Sequence, residues 1–225
     1  MSKAGRVYLG SSRESFAPMV ARALRDLGSA APRVAVSYAA VADSPDAARS
    51  MAALFERSFE GATVERFTLP GEPGAMPERE AQAVIARADI IFLGGGDPVL
   101  GARILTASGA DAWLREARAR GASLLGVSAG SMMLCAYWAS WPDDPPADAP
   151  FHGASLVRCA AVVDDLVVDC HAEEDDWNEL VLIADLLRAS GHKPRLRGLP
   201  TGSGVVVGAG GALEIVGDVP FEISV

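Results

Sequence analysis

The chain has 225 residues, half of them hydrophobic, and its formal net charge is −9. This length predicts a single α/β domain over residues 1–225, with enough apolar residues to bury a core. The negative charge argues against nucleic acid or an anionic membrane surface as the main partner, and no apolar run is long enough to span a bilayer.

The sequence shows no targeting or metal-binding signal. Residues 1–6 are not followed by the apolar core of a signal peptide, so we expect a cytoplasmic protein. The three cysteines are an odd count without metal-type spacing, and the three histidines lie far apart. We therefore expect reduced thiols, no metal site and no cofactor.

The N-terminal half alternates short apolar strands with amphipathic helices. The strands are predicted at residues 7–9, 34–38, 64–67, 90–93 and 122–126. Helices are predicted at residues 16–27, from 45, from 77 to 87, from 98, and at 110–120. This alternation predicts a doubly wound, mostly parallel sheet flanked by helices. Ligands of such sheets bind at the carboxyl ends of the strands.

Two glycine-rich segments follow predicted strands. The first is Gly94-Gly95-Gly96, after which Asp97 and Pro98 have the residue types of a helix N-cap and first helical position. The second lies within residues 126–130. Because both segments sit at strand ends, we expect them to lie side by side over one crevice.

The second segment has the pattern of a nucleophile elbow. Residues 126–131 read G-x-S-x-G-S between an apolar strand and a predicted helix over 132–138. A tight turn there pushes the hydroxyl of Ser128 out of the sheet. It also leaves the backbone N–H of Ala129 free to stabilise an oxyanion. The alternative is a structural glycine- and serine-rich loop.

The sequence changes character after this elbow. An irregular loop is predicted over 141–150, a strand with an acidic interruption over 160–168, and a helix over 173–190. Short strands at 204–207, 213–216 and 221–225 are predicted to form an antiparallel C-terminal extension of the sheet.

A serine nucleophile needs a base, which in this chain means one of three histidines. His152 and His192 lie in polar, loop-like segments. His171 follows the apolar strand 166–170, which is another strand end and so a candidate for the same crevice. The alternative for His171 is a strand-end histidine that hydrogen-bonds to the backbone.

Three segments together resemble the peptidase E / cyanophycinase family of serine peptidases. They are the apolar strand and GGGD of residues 90–97, the G-x-S-A-G-S of residues 126–131, and the strand ending in Asp-x-His at residues 166–171. That family carries these pieces in this order, and the resemblance covers nearly the whole chain. It implies a fold like the class I glutamine amidotransferase domain, with serine replacing cysteine at the elbow.

The resemblance also implies catalytic roles for the matching residues. Ser128 matches the nucleophile, and His171 matches the general base and later acid. The third member of the triad matches an aspartate in the loop after the elbow helix, for which Asp143 is the best candidate and Asp144 and Asp148 are the alternatives.

The same resemblance implies an oxyanion and substrate-binding loop. The region of Gly95 and Gly96, followed by Asp97, matches the loop that gives a second oxyanion donor. The first donor is the N–H of Ala129. We expect a small peptide or related amide as the substrate.

The chain departs from the family around the histidine. The family's arginines near this position are missing, and Arg195 and Arg197 are the remaining candidates for an anion partner. Seven acids surround His171 instead: Asp164, Asp165, Asp169, Glu173, Glu174, Asp175 and Asp176. They form either a solvated first helical turn or a pocket for a cationic group. Residues 198–204 also lack the acid that is common in the family, so the resemblance does not extend to the features that accompany specificity for aspartyl substrates.

Other functions stay open on the sequence alone. A divergent, amidotransferase-like module that binds a small ligand or a partner would explain the missing arginines. An esterase shares the G-x-S-x-G pattern, but the spacing from Ser128 to His171 is short for that fold. A reactive Cys170 is a weaker alternative. An exposed sheet edge at the tail would suit a homodimer.

Overall fold

The computed structural model describes residues 4–42, 44–142, 146 and 151–224. The strands in these residues are β1 Val7–Gly10, β2 Arg33–Ser37, β3 Thr63–Arg66, β4 Ile90–Leu93, β5 Ser123–Val127, β6 Tyr137–Ser140, β7 Ser155–Arg158, β8 Leu166–Cys170, β9 Arg195–Leu199, β10 Gly204–Val207, β11 Leu213–Val216 and β12 Phe221–Ile223. The helices are α1 Arg13–Leu27, α2 Pro45–Phe55, α3 Glu78–Arg87, α4 Pro98–Ala107, α5 Ala110–Ala119, α6 Ala129–Leu134 and α7 Asn178–Ser190. None of these helices is long and apolar enough to cross a membrane.

The predicted doubly wound sheet is confirmed. Seven strands lie in the order β11-β10-β1-β5-β4-β2-β3. The five strands from β1 to β3 in this order pair in parallel, and β10 and β11 extend the β1 edge in antiparallel fashion. The carboxyl ends of β4 and β5 are therefore neighbours, and both glycine-rich segments start there.

The central strand β4 shows why an uninterrupted apolar run was needed. Alternate side chains of a strand point to opposite faces, and both faces of this sheet are covered. Ile90 and Phe92 pack into the cluster that contains Phe16 of α1 and Phe55 of α2. Ile91 and Leu93 pack into the other cluster, with residues of α3, α4, α5 and α6.

The helix after the elbow begins and ends earlier than the predicted range of 132–138, because Tyr137 and Trp138 belong to a strand. It ends at Leu134, and Tyr137–Ser140 pairs with Ser155–Arg158 as an antiparallel hairpin. In the segment 159–163, the backbone N–H groups of Ala160 and Val163 donate to the carbonyl groups of Met133 and Leu134 at the end of α6, and those of Cys159 and Ala161 donate to the residues just after it, Ala136 and Cys135. That segment was predicted as strand, but the strand begins only at Leu166.

The C-terminal part contains a second sheet that the sequence did not predict. Its order is β12-β9-β8, so Phe221–Ile223 pairs with β9 and does not extend the main sheet. The predicted helix over 173–190 is a 3-10 turn at Glu173–Asp175 followed by α7. Asp176 and Trp177 separate the two because both have left-handed backbone conformations, with φ of 51° and 58°.

Candidate active site

Ser128 occupies a strained turn between β5 and α6. Its φ of 52° and ψ of −124° are unfavourable for a residue with a side chain, and such strain is typical of a nucleophile elbow. The turn closes only because glycines stand two residues before and two residues after Ser128. A methyl group on Gly130 would lie 2.0 Å from the carbonyl oxygen of Leu93, and one on Gly126 would lie 2.6 Å from backbone atoms of Gly130. Gly126 and Gly130 therefore allow the turn that carries Ser128 to pack against the end of β4.

His171 reaches this serine from the second sheet. The Ser128 Oγ and His171 Nε2 atoms are 2.8 Å apart, within hydrogen-bond distance. The backbone N–H of His171 donates to the carbonyl oxygen of Leu199 at 2.9 Å, which fixes the residue just beyond the end of β8. In the described part of the chain, Ser128 is the only side chain that hydrogen-bonds to the His171 ring. The pair has the geometry of a hydroxyl and its general base.

The first glycine-rich loop lies directly beside the serine. A methyl group on Gly95 would be 3.4 Å from the Cβ atom of Ser128. Across residues 4–42, 44–142, 146 and 151–224, the N–H groups of Gly95 and Ala129 donate no backbone hydrogen bond. Two unengaged donors near a nucleophile have the composition of an oxyanion hole.

Gly96 and Asp97 hold that loop in shape. Gly96 has a φ of 134°, and a methyl group there would lie 2.3 Å from the carbonyl oxygen of Ala40. Asp97 is the N-cap of α4, because its Oδ1 accepts the N–H groups of Val99 and Leu100 at 2.7 and 3.1 Å. Asp97 also lines the cavity next to Ser128.

The three aspartates predicted as the third triad member, Asp143, Asp144 and Asp148, lie outside the described residues.

Glu173 is a carboxylate near His171 within the described part. Its Oε1 accepts the backbone N–H of Thr201 at 2.9 Å. Burial acts to raise the pKa of Glu173, but hydrogen bonds from Thr201 and the charge of His171 lower it overall. Glu173 therefore carries negative charge within electrostatic range of the imidazole.

A cavity of about 660 Å³ opens beside Ser128 and His171. Its walls include the aromatic residues Trp138 and Trp141. Among the described residues, its charged lining is mainly acidic, with Asp97, Asp169, Asp175 and Glu179 and one arginine, Arg103. The sequence's acidic stretch is thus divided: two of its seven acids line this cavity, while Glu173 and Glu174 line a second one on the other side of Ser128.

Asp169 is the most unusual of these groups. It is 1% exposed, and burial, followed by the charges of Glu179 and Asp175, raises its pKa to about 7. The sequence alone places Asp169 among the acids near His171 and indicates no separate role for it. The available signal was a single charged residue in an otherwise apolar strand, two positions before the histidine.

The other candidates lie elsewhere. Arg195 and Arg197 form ion pairs with Asp165 and Glu222 and do not line the cavity.

Cys170 is buried, and burial followed by the charge of Asp169 raises the pKa of its thiol, which disfavours a reactive thiolate. His192 contacts the hydroxyl of Tyr137. The described residues contain no cluster of His, Cys, Asp or Glu that could hold a metal ion.

A doubly wound α/β fold that brings a serine at a strained strand-to-helix turn against a histidine has the architecture of a serine hydrolase. Residues 4–215 match the model of peptidase family S51. The chain belongs to this family, the peptidase E family, and is a serine-peptidase-type hydrolase.

Solved structures agree with this fold. A peptidase from an acI-B1 Actinobacterium superposes with a TM-score of 0.72 at 18% identity, over 98% of this chain and 94% of its own. A putative peptidase E protein from Listeria monocytogenes EGD-e gives a TM-score of 0.62 at 14% identity, over 99% of both chains. No curated protein matches the sequence.

Proposed function

We propose that this chain cleaves a small peptide or related amide through an acyl-enzyme on Ser128. The observation that carries the proposal is the 2.8 Å contact between Ser128 Oγ and His171 Nε2 at a strained turn. A hydroxyl is a weak nucleophile on its own, and a hydrogen-bonded imidazole that takes its proton makes attack on a carbonyl carbon feasible.

The reaction follows from these groups. Ser128 Oγ bonds to the carbonyl carbon while its proton moves to His171 Nε2. The N–H groups of Ala129 and Gly95 stabilise the resulting oxyanion, since no other backbone hydrogen bond in the described residues engages them. His171 then gives the proton to the leaving amine as the C–N bond breaks. Water hydrolyses the acyl ester with the same base, and Ser128 is regenerated.

A carboxylate is needed to orient the imidazole. Asp143 holds this role in our proposal on the strength of the family resemblance. Glu173 is the second candidate, favoured by its place near His171 and its hydrogen bond from Thr201. The variants Asp143→Asn and Glu173→Gln separate the two, since only the loss of the orienting group slows acylation by about 10⁴-fold.

Labelling with a fluorophosphonate probe tests the proposal without knowledge of the substrate. We expect the native chain to be labelled at Ser128, and both Ser128→Ala and His171→Ala to abolish labelling. His192→Ala is the matched control, because that histidine contacts Tyr137 and not the serine. If the folded native chain is not labelled from neutral to alkaline pH, the peptidase proposal is wrong and the ligand-binding alternative is favoured.

A further inference from the structure

We infer that the acidic cavity is a subsite for an organic cation, in which Asp169 binds an ammonium or guanidinium group of the substrate. The inference rests on the proposed peptidase function and names the class of peptide that the site selects. It concerns Asp169 together with Glu179 of α7 and Asp175 of the preceding 3-10 turn. These three acids line the same cavity as Ser128 and His171.

The first argument is an unpartnered buried oxygen. Asp169 is 1% exposed, and its Oδ1 accepts the backbone N–H of Cys170 at 2.8 Å. Its Oδ2 is also buried and has no hydrogen-bond partner among the described residues. The N–H of Leu180, in the first turn of α7, faces the carboxylate and acts to lower its pKa, but forms no hydrogen bond of acceptable geometry with Oδ2. A buried carboxylate oxygen without a donor is costly, and a bound cation supplies that donor.

The second argument is the charge around this oxygen. Glu179 and Asp175 are like charges that act on Asp169, and the pKa of Glu179 is itself raised by burial and then by Asp175. Charges of one sign gathered around one cavity disfavour an anionic ligand and favour a cationic one. Arg103 is the only lysine or arginine in the lining formed by described residues, and it contacts Ser140 at 3.4 Å.

The third argument is position. Asp169 lies on β8 two residues before His171, and both residues line the cavity that contains the nucleophile. A substrate held by its cation at Asp169 thus has its carbonyl group within reach of Ser128. Two sources of cation fit: the α-ammonium group of an N-terminal residue, and the side chain of a lysine or arginine beside the scissile bond.

Binding to the Ser128→Ala variant of the full chain tests the subsite, because this variant keeps the cavity but cannot form an acyl-enzyme. The probes are the dipeptides lysyl-alanine and norleucyl-alanine and the N-acetyl form of each, titrated by calorimetry. We expect a cationic peptide to bind about tenfold or more tightly than its neutral match. A loss on acetylation assigns the α-ammonium group, and a loss on replacing lysine by norleucine assigns the side chain.

Asp169→Asn in the same background is expected to reduce the affinity of the cationic peptide to that of the neutral one. Asp176→Asn is the matched control: it removes one charge from the same acidic stretch, its side chain lies outside the cavity, and its φ of 51° suits asparagine. If Asp169→Asn does not fold, Glu179→Gln replaces it with the same expected direction.

Three results overturn the subsite: equal affinity for charged and neutral peptides, a preference that survives Asp169→Asn, or no binding of any of the four peptides to the folded variant. Fluorophosphonate labelling of the native chain reports on Ser128 independently. Labelling without a preference for cations overturns the subsite and leaves the peptidase. A preference for cations without labelling leaves the subsite and removes Ser128 as the nucleophile.

Discussion

The two walls of the cavity are stabilised in opposite ways. The nucleophile wall, residues 94–96 and 126–131, is built from backbone in close contact, and a methyl group on Gly96, Gly126 or Gly130 would collide with backbone atoms. The acidic wall, β8 and the first turn of α7, buries carboxylates whose ionised form is disfavoured. The comparison teaches that close packing fixes the position of Ser128 on the nucleophile wall, whereas the acidic wall keeps buried carboxylates that lower the stability of the fold.

The largest expected effect is on the nucleophile wall. Gly130→Ala would place a methyl group 2.0 Å from the carbonyl oxygen of Leu93, and neither backbone can move easily. We expect a loss of about 3 kcal/mol or more in the free energy of unfolding, measured by urea denaturation, together with loss of fluorophosphonate labelling. Gly210→Ala is the control, because that glycine faces open space. A loss below about 1 kcal/mol for Gly130→Ala would contradict the close-contact account of this wall.

On the acidic wall, in contrast, we expect a substitution to raise the free energy of unfolding, because a buried carboxylate is lost. The pKa of Asp169 rises from its ordinary 3.8 to about 7 on folding, so the folded state holds the proton more tightly than the unfolded chain. Stability from this group is therefore full below about pH 4 and falls as the pH rises to about 7. The groups facing it are Glu179, Asp175 and the buried Cys170.

Asp169→Asn removes this penalty. The shift corresponds to at most about 4 kcal/mol, and we expect a net gain of about 1–2 kcal/mol at pH 8 that disappears near pH 4. Urea denaturation at both pH values measures it, with Asp176→Asn as the exposed control. A variant that is less stable than the native chain at pH 8 would show that the carboxylate serves the fold rather than the site.

A smaller effect tests the hydrogen bonds behind the nucleophile. The buried Ser131 Oγ donates to the carbonyl oxygen of Gly10 at 2.8 Å, which ties α6 to the end of β1. Ser131→Ala should lower the free energy of unfolding by about 1 kcal/mol and change labelling little. Ser140→Ala, whose hydroxyl has only a 3.4 Å contact with Arg103, should stay within about 0.5 kcal/mol.

The smallest effect concerns the arginine opposite the acids. Arg103→Gln removes a positive charge from the cavity lining, so a cationic dipeptide should bind the Ser128→Ala variant about two- to threefold more tightly. Calorimetry at low salt measures this change, and Arg25→Gln on α1 controls for net charge. Weaker binding of the cation after Arg103→Gln would mean that the arginine holds part of the substrate.

The elements that the sequence predicted correctly are those governed by local rules. The strand β4 needed an apolar run because both of its faces are covered, and the turn at Ser128 needed glycines because the chain reverses there. Such requirements act on residue types within a few positions, so they can be recognised without an alignment. The parallel part of the main sheet followed from the alternation of strands and helices along the chain.

What only the tertiary structure decided depends on distant partners. The helix α6 ends at Leu134, where the carbonyl groups of its last two residues accept hydrogen bonds from Ala160 and Val163, and β12 pairs with β9 in a separate sheet. The acids around His171 look alike in the sequence, yet folding buries Asp169 in the cavity lining, where its Oδ2 has no hydrogen-bond partner among the described residues, and leaves Asp176 exposed. The sequence determines which residues can carry a charge. How much free energy a buried charge costs, and whether it can bind a ligand, depends on the surroundings that β8, α7 and the nucleophile loops create together.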